Sequence, residues 1–356
     1  MVEYSEYRLG SLCNRFSSGK GIPADLINET GKYPVIGGNG LRGYTDTYNF
    51  DGECAVIGRQ GAYCGNVQFF SGKGYMTEHA VVTQPNSANN AKYLTYKLNG
   101  LSLGRFSGQA AQPGLSVTKL ARLRIEMPPK WYQDKVAGIL YAYDNLIEVN
   151  NKRIKVLEQM AENLYKEWFV RFRFPGHEKA DFENGIPKGW RRGRISEFYT
   201  TSSGGTPSRE LDEYYVDGTI PWIKTGELQD CLLIDTEERI TEVAVKKSSA
   251  KFFPKDSVLM AMYGVNIGML AYSTMDATCN QACCVFRDKG NISTKHYLFQ
   301  CLKSIRDYLL LISFGAAQQN LSQDLIKRVR IVMPGEETVI RFEQKIEPLY
   351  NEIKHL

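Results

Sequence analysis

Long apolar runs are what this 356-residue sequence most lacks: no stretch approaches the roughly 20 consecutive apolar residues that a membrane-spanning helix needs. The opening residues Met1-Val2-Glu3-Tyr4-Ser5-Glu6 also lack the basic-then-apolar order of a secretory signal. Both absences point to a cytoplasmic chain with no membrane partner. Histidine is scarce, with four residues (His79, His177, His296, His355) standing far apart. No Walker loop, His-Glu-x-x-His or Gly-x-Ser-x-Gly occurs, so no catalytic constellation is legible and no cofactor is expected. The eight cysteines form no Cys-x-x-Cys pair, which argues against zinc, and they sit in apolar neighbourhoods suited to reduced core thiols. A large excess of one charge is missing too. The net charge is +5, and residues 1–129 carry 13 Lys/Arg against 9 Asp/Glu, which permits phosphate contact without demanding it.

What is present is an internal repeat. Residues 110–128, from Ala110-Ala111-Gln112 to Arg122-Leu123-Arg124-Ile125-Glu126-Met127-Pro128, recur 206 positions later as residues 316–334, ending Arg328-Val329-Arg330-Ile331-Val332-Met333-Pro334. Ten of the 19 aligned positions are identical without a gap, so the chain is a tandem duplication. Upstream of each copy, short apolar runs alternate with Gly/Asn/Asp turns. Tyr33-Pro34-Val35-Ile36 answers Ile220-Pro221-Trp222-Ile223, and Cys54–Gly58 answers Val258–Met262. Such runs predict β-rich globules.

After each Met-Pro the period changes. Val136, Ile139, Tyr143, Leu146, Asn150, Ile154, Leu157, Ala161, Leu164 and Trp168 keep three-four spacing with one doubled step of four at Asn150, and Phe342, Ile346, Leu349 and Ile353 keep it in the second copy. Both predict long amphipathic helices. The first, from Pro128 to Phe172, would run roughly 60 Å, longer than one globule needs, and so reads as a spacer. Pro348 should kink or end the second. The resulting division is 1–129, a central helix 130–172, 173–334, and a short final helix 335–356. The fold class is α+β, each globule being mostly β with short helices.

Gly38-Asn39-Gly40-Leu41-Arg42-Gly43 fits the dinucleotide pattern G-x-G-x-x-G, but the residues after it show no helical stripe to hold a pyrophosphate. Met127-Pro128-Pro129-Lys130 lacks the polar and aromatic neighbours of an amino-methyltransferase site. What remains is groove chemistry. Asn39, Arg42, Arg59, Gln60, Tyr63, Lys73 and Tyr75 in the first globule, and Lys224, Thr225, Tyr263, Asn266, Asn280 and Gln281 in the second, sit among glycines in stretches that read as turns. Arginine and lysine suit guanine edges or phosphates, and Asn and Gln suit adenine. Ordinary polar turns remain the plain alternative for many of them.

On these residues the chain resembles the specificity subunits of type I restriction-modification systems. The resemblance is carried most strongly by Leu157-Glu158-Gln159-Met160-Ala161-Glu162-Asn163-Leu164-Tyr165-Lys166-Glu167-Trp168-Phe169 and Asn184-Gly185-Ile186-Pro187-Lys188-Gly189-Trp190. Gly205-Thr206-Pro207 and Gln319-Asn320-Leu321-Ser322 add to it. It implies two target-recognition domains related by a pseudo-twofold, separated by helices in an antiparallel coiled coil, that read a bipartite site in double-stranded DNA. It implies docking of two methyltransferase subunits and of restriction subunits, with no catalysis by the chain itself. The final helix is shorter than the family's usual one. In an antiparallel pairing it would meet the region Ile154 to Trp168, leaving Val136, Ile139, Leu140, Tyr143, Leu146 and Ile147 to be covered by a methyltransferase subunit or a second copy of the chain. The competing readings are a non-catalytic scaffold or decoy that reads no DNA, and a self-contained methyltransferase or nuclease, for which the motifs are missing.

Overall fold

The computed structural model describes residues 2–61, 63–108, 114–290, 292–313 and 320–356. The stretches Ala110–Pro113 and Ala316–Gln319 of the repeat therefore lie outside the described residues. The chain divides into two compact units, Met1–Glu148 and Val149–Leu356, with the boundary inside the central helix.

In the first unit the short apolar runs become β1 (Ser5–Arg8), β2 (Cys13–Ser18), β3 (Tyr33–Gly37), β4 (Gly40–Thr45), β5 (Phe50–Gly58), β6 (Val67–Met76), β7 (Ala80–Pro85) and β8 (Arg124–Met127). Six of them form a sheet in the order β2-β7-β5-β6-β3-β4, and β1 pairs separately with β8. Helices α1 (Ala91–Asn99) and α2 (Val117–Ala121) are N-capped by Asn90 and Ser116, whose side chains accept the backbone N–H of Tyr93 and Lys119. Leu94 and Leu98 of α1 pack with Ala55, Ile57 and Val81 of the sheet into one core. Met127-Pro128 then leads into α3 (Lys130–Tyr165). There Gln133 is buried, and its amide donates to the Pro128 carbonyl at 2.8 Å while its oxygen accepts the Asn90 N–H at 2.9 Å, fixing the helix start to the globule.

The second unit contains β9 (Phe182–Glu183), β10 (Ile186–Pro187), β11 (Arg191–Arg194), α4 (Ile195–Phe198), β12 (Tyr199–Ser203), β13 (Ile220–Ile223), β14 (Cys231–Leu233), β15 (Arg239–Ile240), α5 (Glu242–Lys247), β16 (Val258–Ala261), β17 (Leu270–Ser273), β18 (Thr278–Cys279) and β19 (Cys283–Asp288). Then follow α6 (Lys295–Ser304), α7 (Arg306–Ser313), α8 (Gln323–Arg328), β20 (Arg330–Met333) and α9 (Glu336–His355). A five-stranded sheet runs β12-β19-β16-β17-β14, a three-stranded one β15-β13-β18, and β11 pairs with β20. The ladders β11–β20 and β1–β8 occupy equivalent places in the duplicated plan, each ending in Met-Pro at the start of a long helix.

The distal part of the central helix belongs to the second unit and ends in a π-turn at Lys166–Val170. It runs antiparallel to α9. Phe342 meets Trp168 and Phe169 at ring separations of 5.8 and 4.7 Å, while at the other end Arg153 pairs with Glu352. Phe342 and Ile346 are fully buried with Ala161, Tyr165, Trp168 and Phe169, and Leu164, Leu349 and Ile353 pack around them. Ile154 and Leu157 are half-buried. Glu343 of α9 also ties the helix to the globule. Its carboxylate accepts the N–H groups of His296 and Tyr297 at the start of α6, at 3.1 and 3.0 Å, and lies 2.7 Å from the buried His296 ring.

Three expectations need correction. Pro348 does not end the final helix, which continues to His355. Proline forfeits its N–H bond to the carbonyl of Gln344, but both residues are on the exposed face, where solvent access lowers the cost of a freed carbonyl, while Ile346 and Tyr350 hold the other face in the core. Val136 is not part of an open stripe, because it packs against the first unit's core. Gly72-Lys73-Gly74-Tyr75 is no turn but the end of β6, paired with β5 from Gly52↔Gly72 to Phe50↔Gly74. Arg42 likewise stands in a strand, β4.

Candidate nucleic-acid interface

In the second unit the loops bearing the candidate residues converge. Lys224 and Thr225 follow β13, Tyr263 and Asn266 lie in the β16–β17 loop, and Asn280 and Gln281 join β18 to β19. Asn266 holds two of these loops together, its amide donating to the carbonyls of Thr225 at 3.0 Å and of Gly226 and Leu228 at 3.3 Å. Asn280 ties in the third, donating its N–H to the Ile223 carbonyl at 3.0 Å while its side-chain oxygen accepts the Ala282 N–H at 3.1 Å. Gln281 is exposed and accepts the Thr206 hydroxyl. Burial raises the Tyr263 phenol above its ordinary range, and a hydrogen bond with Gln281 opposes that rise. At the loop tip Val265 is completely exposed.

Lys224 is not a free cation. Its ammonium lies 2.9 Å from Glu238 and 3.0 Å from Glu237, and the hydrogen bond to Glu238, followed by that to Glu237, holds its pKa above the ordinary lysine range. The Glu238 carboxyl is correspondingly held low, first by Lys224 and then by Arg209, which stacks on Trp222 and Tyr215. Asn266, Asn280 and Lys224 thus shape the loops, and Thr225, Tyr263 and Gln281 are the candidates left to face a ligand. Replacing Asn266 by alanine removes a donor from three carbonyls, of which Thr225 keeps the Leu228 N–H and Gly226 the Gln229 amide while Leu228 loses its partner, and should cost about 1–3 kcal/mol, with faster amide exchange at residues 225–228 and 263–268. Unchanged exchange there would refute the scaffolding role.

In the first unit the tip of the β3–β4 hairpin abuts the end of β5. A Cβ added to Gly58 would lie 2.2 Å from the Gly38 carbonyl oxygen, so only glycine allows this approach. That contact sets the turn bearing exposed Asn39 against the backbone of Gly58 and Arg59, near the exposed Tyr63, and within the hairpin the Arg42 stem lies over Gly37. The hairpin confirms that no helix follows the Gly38–Gly43 pattern. Arg59 is spent internally, its guanidinium donating to the Leu115 carbonyl at 3.3 Å and the Ser18 hydroxyl at 3.4 Å. Lys73 is not brought to this group. It stands opposite Asp51 at the start of β5, with its ammonium 4.8 Å from the Tyr48 ring, and Tyr75 donates its hydroxyl to the Gly21 carbonyl.

Among the described residues no group of three or more His, Cys, Asp or Glu is placed to hold a metal. The described cysteines are free, and burial pushes the Cys13 and Cys54 thiols up to about 12. No helix is long and apolar enough to cross a membrane among those described. Sequence reasoning missed Thr206 and Arg209, whose partners Gln281 and Glu238 are far away along the chain, and the exposed Val265.

Two related α+β modules in tandem, each carrying polar loops and each closing on a long helix, define a chain built by duplication. The chain belongs to the type I restriction modification DNA specificity domain family, whose model matches residues 1–159 and 187–348. It is 37% identical over 166 residues to the EcoprrI specificity subunit of Escherichia coli, covering 46% of this chain and 41% of that protein. It is 26% identical over 288 residues to the MjaIX specificity subunit of Methanocaldococcus jannaschii, covering 76% of this chain and 64% of that protein. The chain thus spans less than two thirds of these relatives. The fold is shared with the S subunit of a type I restriction-modification system from M. genitalium, at a TM-score of 0.71 and 15% identity over 99% of this chain and 93% of that one.

Proposed function

We propose that this chain is the DNA-reading subunit of a type I restriction-modification enzyme, each unit recognising one half of a bipartite site. The observation that carries this reading is the family match to both halves of a tandem duplication. Asn39, Gln60 and Tyr63 in the first unit, and Thr225, Tyr263 and Gln281 in the second, are the side chains best presented to bases. Arg42 and Lys73 are exposed and suit phosphates, whereas Arg59, Lys224, Asn266 and Asn280 keep the loops in shape.

The chain itself transfers no methyl group and cuts no strand. Incubating the pure protein with labelled S-adenosylmethionine and duplex DNA tests this: no label should reach the DNA, and incorporation would refute the reading.

Chemistry and translocation come from partners, two methyltransferase subunits and restriction subunits. On α3 the side chains of Ile139, Tyr143, Leu146 and Ile147 are 53–63% exposed, so covering what remains open would gain about half of the roughly 1.5–3 kcal/mol that burying a fully exposed side chain is worth. This stripe is the seat of a methyltransferase subunit. Changing Ile139 and Leu146 together to glutamate should weaken co-purification with that subunit by about 10- to 100-fold, since roughly 1.5–3 kcal/mol of burial is lost. The helix should keep its circular dichroism. Normal assembly by the double variant would place the subunit elsewhere, and a self-associating wild-type chain disrupted by the same changes would assign the stripe to a second copy.

A further inference from the structure

The ladder β11–β20 carries a charge pattern that the loops do not explain. Arg194 stands directly opposite Arg330, and Arg192 opposite Val332, so Arg192, Arg194 and Arg330 share one face, all exposed. The other face is turned inward. Ile331 is buried, and a Cβ added to Gly193 would strike the Phe198 ring at 2.7 Å. Arg191 follows that inward face, its guanidinium 5.4 Å from the centre of the Phe198 ring. The adjacent acid, Glu197, is occupied there as well. One carboxylate oxygen accepts the Arg194 N–H at 2.8 Å, and the other lies 2.8 Å from where the Gly193 Cβ would stand. None of the three outward arginines has an ion-pair partner among the described residues.

Like charges directly opposed on a ladder destabilise it, so this arrangement persists at a cost. The duplicated plan shows that the opposed arginine pair is common to both ribbons, whereas the lack of compensating anions is not. In the first unit Arg8 stands opposite Arg124, but the neighbouring register pairs Glu6 with Glu126, and Arg124 bridges Glu6 at 2.5 Å. That face balances two cations with two anions, whereas its counterpart has three cations and no anion.

We propose that the Arg192–Arg194–Arg330 face binds the sugar-phosphate backbone of DNA beyond the bases read by the second unit's loops. The proposal rests on the DNA-reading function above. Planar guanidinium groups pair bidentately with phosphate, and a face of one sign gains most from a polyanion. A protein partner would call for an aromatic or aliphatic anchor at the centre, and neither β11 nor β20 contributes an exposed large apolar side chain. The placement also fits. The face adjoins α4 and the Tyr199 end of β12, and the loop cluster, tied to Gly205 and Thr206, lies beyond its Ser203 end; a strand of that length spans roughly 15 Å, or about four to five base pairs of duplex.

The test uses the full chain with its co-purified partner subunits and a random-sequence duplex, titrated between about 50 and 200 mM salt. Wild type gives the reference slope of log affinity against log salt. The triple change Arg192→Gln, Arg194→Gln, Arg330→Gln should shrink that slope by about 2–3, at about 0.9 per phosphate, and weaken binding to all sequences alike. The triple lysine variant should keep the slope, because charge rather than fold is at issue. A glutamine variant with the wild-type slope overturns the proposal. If that variant instead loses its partner subunits at unchanged slope, the face holds acidic protein and the proposal is equally wrong. If wild type fails to bind DNA at all, the DNA-reading function itself falls, a result distinct from either.

Discussion

Replacing Phe342 by alanine is expected to destabilise the second unit by about 3–5 kcal/mol, the range for an aromatic residue deleted from a packed core. Phe342 has no exposed surface, and its ring touches Trp168 and Phe169, joining the final helix to the distal central helix. Collapse into the vacancy is resisted by Tyr165, Trp190 and Tyr297, which are held by further ring contacts with Phe169. For a unit of this size the melting temperature should fall by roughly 10 °C. Because the first unit has its own core, built from residues such as Leu94, Leu98 and Leu120, calorimetry should move only one of two transitions. Phe342→Leu should cost less, since it keeps much of the buried volume. A Phe342→Ala protein melting like wild type would contradict the helix pairing described here.

The duplication, the change of period after Met127-Pro128 and Met333-Pro334, and the stripes of the two helices were legible in the sequence because they depend on local order. Even the doubled step at Asn150 has a structural counterpart, since the helix passes from the first unit to the second between Glu148 and Val149. The end of strand β6 reads as a turn in the sequence because Gly72 and Gly74 break its alternation. Gly72 pairs with Gly52, and both have positive φ, so the glycines bend a strand rather than end it. The fate of individual polar residues was not legible at all. Lys224 looks like any phosphate-binding lysine until Glu237 and Glu238 close on it, and Asn266 looks like an adenine reader until its amide is found on carbonyls about 40 residues away. Such roles are set by loop packing across long sequence separations, to which periodicity and local propensity are blind.

The central claim is that two units each read half of one DNA site. The direct measurement exchanges residues 195–329 for the corresponding segment of a relative with a different target and maps methylated adenines genome-wide in cells expressing the assembled enzyme. The cut points fall just inside the β11–β20 ladder, so the ribbon, both long helices and the first unit are retained. The account predicts a new site in which one half and the spacer length are unchanged and the other half is replaced completely. Methylation in which both halves changed together, or a continuous target with no unread spacer, would contradict it.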